Sequence, residues 1–74
     1  MEREPIKDLE TLAQQDERDM RYGYFAGLHG DGNEPSYEMN RSYWHGWRNG
    51  MVDSGRMNKD AAQAILAHKY LKGA

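Results

Sequence analysis

Cysteine is absent from this 74-residue chain, so neither a disulfide nor a thiolate metal site can staple the fold. Aliphatic residues are scarce, and a conventional core of Ile, Leu and Val is excluded. No apolar run approaches membrane-spanning length, and the acidic N-terminus lacks the features of a signal peptide. A soluble cytoplasmic protein with no membrane partner is therefore the expectation. Strand-like alternation of useful length is missing too, which points to an all-α fold. The length allows one small domain, residues 1–74, and no second.

What the chain has instead is rings and glycines. Five Tyr, two Trp and one Phe are joined by five Met and eight Gly. Both tryptophans fall in Tyr43-Trp44-His45-Gly46-Trp47-Arg48, preceded by Gly23-Tyr24-Phe25-Ala26-Gly27. A glycine inside a helix costs about 1 kcal/mol relative to alanine. Glycines in both segments beside large rings imply that two helices approach closely there. Tyr24, Phe25, Trp44 and Trp47 are expected to cover backbone and each other, with at least one Trp in the core.

Charge is placed unevenly. Residues 1–17 hold six acids against two bases, while the rest of the chain carries a small positive excess within a net charge of −2. Such a chain is not drawn non-specifically to phosphate polymers. Its middle can still hold a basic face.

The pattern places an acidic helical arm over 1–17, two main helices over 18–53 and a short helix over 58–72. Pro5 suits the first turn of the arm. Ile6, Leu9, Leu12 and Ala13 recur at helical spacing, and the pattern resumes at Met20, Tyr24, Gly27 and Leu28. Residues 6–29 are one helix or two, and the apolar gap at 14–19 favours a break near Gln15–Asp16. Gly30 is the candidate C-cap, and the Gly/Pro loop to Pro35 follows. Ser36 is the candidate N-cap of the next helix, whose inner face carries Asn40, Tyr43, Trp44, Trp47, Gly50 and Met51. Asp53-Ser54-Gly55 stops it. Asn58 is then expected to cap a last helix with the stripe Ala62, Ile65, Leu66 and Tyr70, ended by Gly73, with Lys69 and Lys72 near its C-terminus.

Gly23-Tyr24-x-Ala26-Gly27-x-x-Gly30, a loop with Pro35, and the helix carrying Tyr43, Gly46, Trp47 and Arg48 together resemble the ribosome modulation factor family. The likeness spans about residues 18–53, with Tyr43 at a position the family usually gives to tryptophan. It implies a helical hairpin, binding to the small ribosomal subunit, and a role in ribosome hibernation and translation regulation. The family is typically basic, whereas this chain has a pI near 5.8. A competing expectation is a phage or mobile-element inhibitor that binds a basic groove of a host or defence protein through its acidic arm. A homodimer built on Ile65, Leu66 and Tyr70 is a third.

For the leading reading, Arg18, Arg21, Arg41 and Arg48, with Tyr22, Tyr37 and Trp44 nearby, would form a basic-aromatic surface for RNA phosphates and bases. Pairing of these arginines with Asp19, Glu38 and Asp53 is the alternative. His29, His45 and His68 show no metal-ligand spacing. Gly30-Asp31-Gly32-Asn33 lacks the further ligands of a calcium or phosphate loop and reads as a turn. No Ser carries an activating motif, and a non-enzymatic protein without metal or cofactor is expected.

Overall fold

The computed structural model describes residues 4–36 and 38–73, the last three by their backbone alone. Among these residues all regular structure is helical: α1 (Leu9–Ala13), α2 (Glu17–His29), α3 (Arg41–Asp53) and α4 (Ala61–Gly73). The expected interruption near Gln15–Asp16 separates α1 from α2. Tyr37 and the side chain of Lys72 lie outside the described residues.

Every helix starts at an Asp or Asn whose side chain accepts the amide three residues on. Asp8 takes Thr11 N–H at 2.7 Å, Asp16 takes Asp19 N–H at 2.9 Å, and Asn40 takes Tyr43 N–H at 2.9 Å. Asp60 accepts from Gln63 N–H at 2.9 Å while the Gln63 side chain accepts from Asp60 N–H at 3.1 Å, a reciprocal capping box. Three expected starts are therefore corrected. Pro5 lies ahead of α1, because the first orphan amides find their acceptor at Asp8. Ser36 closes a local turn, its hydroxyl accepting from Glu38 N–H at 3.1 Å. Asn58 precedes the carboxylate that caps α4.

The end of α3 follows from Gly55. Its φ of +79° lets Arg56 N–H reach Met51 O at 2.9 Å and Gly55 N–H reach Val52 O at 3.0 Å. This double bond pattern is a Schellman motif, and only glycine adopts that φ without strain. Gly30 does stand at the C-cap of α2, but in an extended conformation rather than the left-handed one.

Contacts between α2 and α3 rise in step along both helices. Gly46 lies against Met20 and Tyr24, and Gly50 against Tyr24 and Leu28. Gly23 lies against Tyr43 and Trp47, and Gly27 against Trp47 and Met51. The two helices therefore run in the same direction, and the loop 31–40 returns alongside them. Thirteen helical residues span about 20 Å, which ten loop residues cover easily at roughly 3.3 Å each. A Cβ at any of the four glycines would overlap a backbone carbonyl oxygen of the other helix. The hydrogen in its place points at that oxygen, a weak bond worth about 0.5–1 kcal/mol.

Trp44, Trp47 and Met51 form the core cluster, with Ala26 and Met57 packed on it. Ile6, at 2% exposure the most buried side chain, ties the arm to the body. Arg41 Nε donates to Glu4 O at 2.9 Å. Ser42 accepts from Asp16 N–H at 2.9 Å and donates to Gln15 Oε1 at 2.9 Å, which pins the α1–α2 bend. In α4 the expected stripe divides: Leu66 is buried, Ala62 half-buried, and Ile65 and Tyr70 are exposed. No helix of the described residues is long and apolar enough to cross a membrane.

Candidate binding face

The glycines decide which side of α2 is free. With Gly23 and Gly27 turned to α3, helical periodicity turns Arg18, Tyr22, Phe25 and His29 the opposite way. All four are exposed, Tyr22 at 61% and Phe25 at 50%. The Phe25 and His29 rings lie nearly parallel, 9° apart with centroids at 6.2 Å. Tyr24 meets the edge of Phe25 at 5.9 Å and donates its hydroxyl to Asp53 Oδ2 at 2.7 Å. That bond holds the phenol's pKa above its usual value of 10.0.

Arg21 flanks this stripe, and it and Arg18 are exposed. Asp19 accepts from Asn40 Nδ2 at 2.6 Å and Asp53 from Tyr24, while Asp16, Glu17 and Asp19 line the surface beside both arginines. The result is a face of two arginines and three rings along one helix.

The α3 residues stand differently. Arg41 and Arg48 do share a helix side, but the N-terminal arm and the start of α4 cover it. Arg41 is half-buried on Glu4. Arg48 is 6% exposed and forms an ion pair with Asp60. Its guanidinium carbon sits 4.7 Å from the Trp44 ring centroid, a cation–π contact inside the body. Trp44 is 8% exposed and donates Nε1–H to Glu34 Oε1 at 3.1 Å, holding the returning loop on α3. Arg48 and Trp44, expected on the outer surface, are thus interior residues that join loop, α3 and α4.

The motif glycines and rings serve the helix pair. Gly23, Gly27, Gly46 and Trp47 are buried, while Tyr24, Ala26, Tyr43 and Pro35 are half-buried and Gly30 is exposed. Phe25, expected to cover backbone, is instead exposed. It and His29 were missed as surface residues, although their spacing of seven and eleven from Arg18 marks a common helical stripe.

A second feature lies on the other side of the pair. His45 is 5% exposed, and its Nε2 is 3.2 Å from Asn49 Nδ2. Asn49 Oδ1 accepts from Gln63 Nε2 at 3.4 Å, so the amide nitrogen faces His45 and Nε2 is the acceptor. The ring proton then sits on Nδ1. Burial, with Arg48 and Arg41 nearby, keeps the imidazole pKa below 6.5. Among the described residues no three metal-binding side chains converge.

No family model, curated protein or solved structure matches the chain.

Proposed function

We propose that this protein is a small non-enzymatic binding protein that lays the outer face of α2 on ribosomal RNA of the small subunit and so lowers translation, as its likeness to ribosome modulation factor suggests. The observation that carries the reading is the stripe of Arg18, Tyr22, Phe25 and His29, flanked by Arg21, on the side of α2 turned away from α3. Arginines meet phosphates, and exposed rings stack on unpaired bases whatever their sequence. The rigid glycine contact beneath keeps these side chains on one line, so little order has to be imposed on binding.

An inhibitor acting through an acidic arm draws less support. Asp8 caps α1, Ile6 is buried, and the Glu4 carbonyl accepts from Arg41. From Glu4 onward the arm packs on the body, which supports a free acidic extension less.

Co-sedimentation of the intact chain with purified small subunits, at low and moderate salt, tests the proposal. Association at low salt that falls steeply as salt rises is the expected result. Absence of association, or indifference to salt, removes it. Capture of a protein partner that survives nuclease treatment of a lysate would favour the inhibitor reading.

A further inference from the structure

No Cα of α4 comes within 8 Å of one in α2 or α3, in contrast to the glycine contact of the helix pair. Between α4 and the pair lies a cleft of about 630 Å³, within the roughly 300–1,000 Å³ usual for small-molecule sites. Met20, Tyr24, Val52 and Leu66 give it apolar walls. Asp53 is its one acid, and the Tyr24 hydroxyl already engages that carboxylate. Arg21 and Lys59 bring two cations to the same cleft, so its charge remains positive beside that one carboxylate.

The polar groups are built in rather than incidental. His45 and Gln63 are both more than nine-tenths buried, line the cleft, and are linked through Asn49. With Nε2 facing Asn49, Nδ1–H is the ring's remaining donor.

We propose that this cleft binds a small planar aromatic anion, its ring against Met20, Tyr24 and Leu66 and its carboxylate or phosphate drawn by Arg21 and Lys59. A ring oxygen or carbonyl on the ligand would accept from His45. Apolar walls with a few convergent donors suit such a molecule, and the surplus of cations selects it over a neutral one. The inference shares Arg21 with the proposed outer face of α2 but stands also on Lys59, His45 and the apolar walls, which that face does not use.

The test is a titration of the isotopically labelled intact chain, followed by amide chemical shifts. Two anions serve as probes, indole-3-acetate for the carboxylate and guanosine monophosphate for the phosphate. Their uncharged counterparts, indole-3-ethanol and guanosine, are the controls. Saturable shifts at His45, Asn49, Gln63 and Leu66 are expected with at least one anion, with binding about tenfold weaker for its control. The responding anion identifies the head group. Lys59→Gln, an exposed substitution, should weaken that anion roughly threefold and leave the control unchanged. Neither anion binding, control binding equal to anion binding, shifts confined to residues outside the cleft, or a Lys59→Gln variant with unaltered affinity would each overturn the proposal.

Discussion

Gly23 and Gly46 stand 23 residues apart and make the same contact from the two sides of one interface: Gly23 lies on the carbonyl of Tyr43, and Gly46 on that of Met20. Met20 and Tyr43 are themselves 23 apart, and Gly27 and Gly50 repeat the arrangement on Trp47 and Tyr24. The parallel pair is thus related to itself by a local two-fold. In a parallel pair this close, backbone meets backbone and leaves no room for a methyl group. Alanine at Gly23 or Gly46 should gain up to about 1 kcal/mol of helix propensity yet destabilise the protein by roughly 1–3 kcal/mol net through overpacking. Thermal melts should then fall by several degrees for each kcal/mol. Parent-like melting of both variants would mean that the helices do not touch there.

The Arg48–Asp60 pair joins α4 to the rest, and two substitutions separate its two roles. Asp60→Asn keeps a side-chain cap and removes the charge that faces buried Arg48. Asp60→Ala removes both. Asp60 is 44% exposed, so solvent screens the pair and the loss in Asp60→Asn should be about 1 kcal/mol, well short of a fully buried pair. Asp60→Ala should lose roughly 1 kcal/mol more through the missing cap. Urea unfolding of the three proteins measures both steps, and equal stability of Asp60→Asn and the parent would show the charge to be idle.

His45 makes stability depend on pH. Burial is the main reason its pKa lies below 6.5, with Arg48 and Arg41 adding repulsion. Because the folded pKa is the lower one, the unfolded chain binds the proton first as pH falls. The contribution is therefore whole above about 6.5 and is lost as pH drops towards the folded pKa, with a slope of at most about 1.4 kcal/mol per pH unit. Unfolding free energies between pH 7.5 and 5 should decline, and His45→Gln should flatten the decline. A variant that declines as steeply as the parent assigns the effect to another group.

Tyr22 and Phe25 should separate binding from folding. Both are exposed, so alanine at either should change stability by no more than about 0.5 kcal/mol. Loss of a stacked ring should cost about 1–3 kcal/mol in association with the small subunit. Equal ribosome affinity of Tyr22→Ala, Phe25→Ala and the parent would show that the rings do not stack on a base.

Helical class, the break before Asp16, the glycine-lined approach and the stop at Gly55 were legible because each depends on local chemistry: spacing, turn formers, positive φ. Of the three misplaced starts, two fell on Ser36 and Asn58, sound caps by composition, while the side chains that cap are Asn40 and Asp60, four and two residues downstream. The direction of α3 was less accessible. A loop of this length permits either sense, and the one mark of a matched parallel pair, the 23-residue recurrence of Met20, Gly23, Tyr24 and Gly27 in Tyr43, Gly46, Trp47 and Gly50, is plain only beside the structure. Trp44, although on the inner face, was set at the binding surface beside Arg48, which was expected outside because Arg rarely goes inside. Its partner Asp60 comes from a different helix, a pairing that periodicity within α3 does not reveal. The cleft was hidden for the same reason, as it exists only where α4 stands off from α2 and α3.

The salt dependence of small-subunit affinity tests most directly where the binding surface lies. On a log–log plot the slope reports the phosphates engaged, about 0.7–0.9 per contact. Replacing Arg18 and Arg21 together by Gln should reduce that slope by roughly 1.4–1.8, while Arg41→Gln, whose side chain is held by Glu4, should leave it unchanged. A slope untouched by the α2 pair but lowered by Arg41→Gln would place the contact elsewhere and contradict the account.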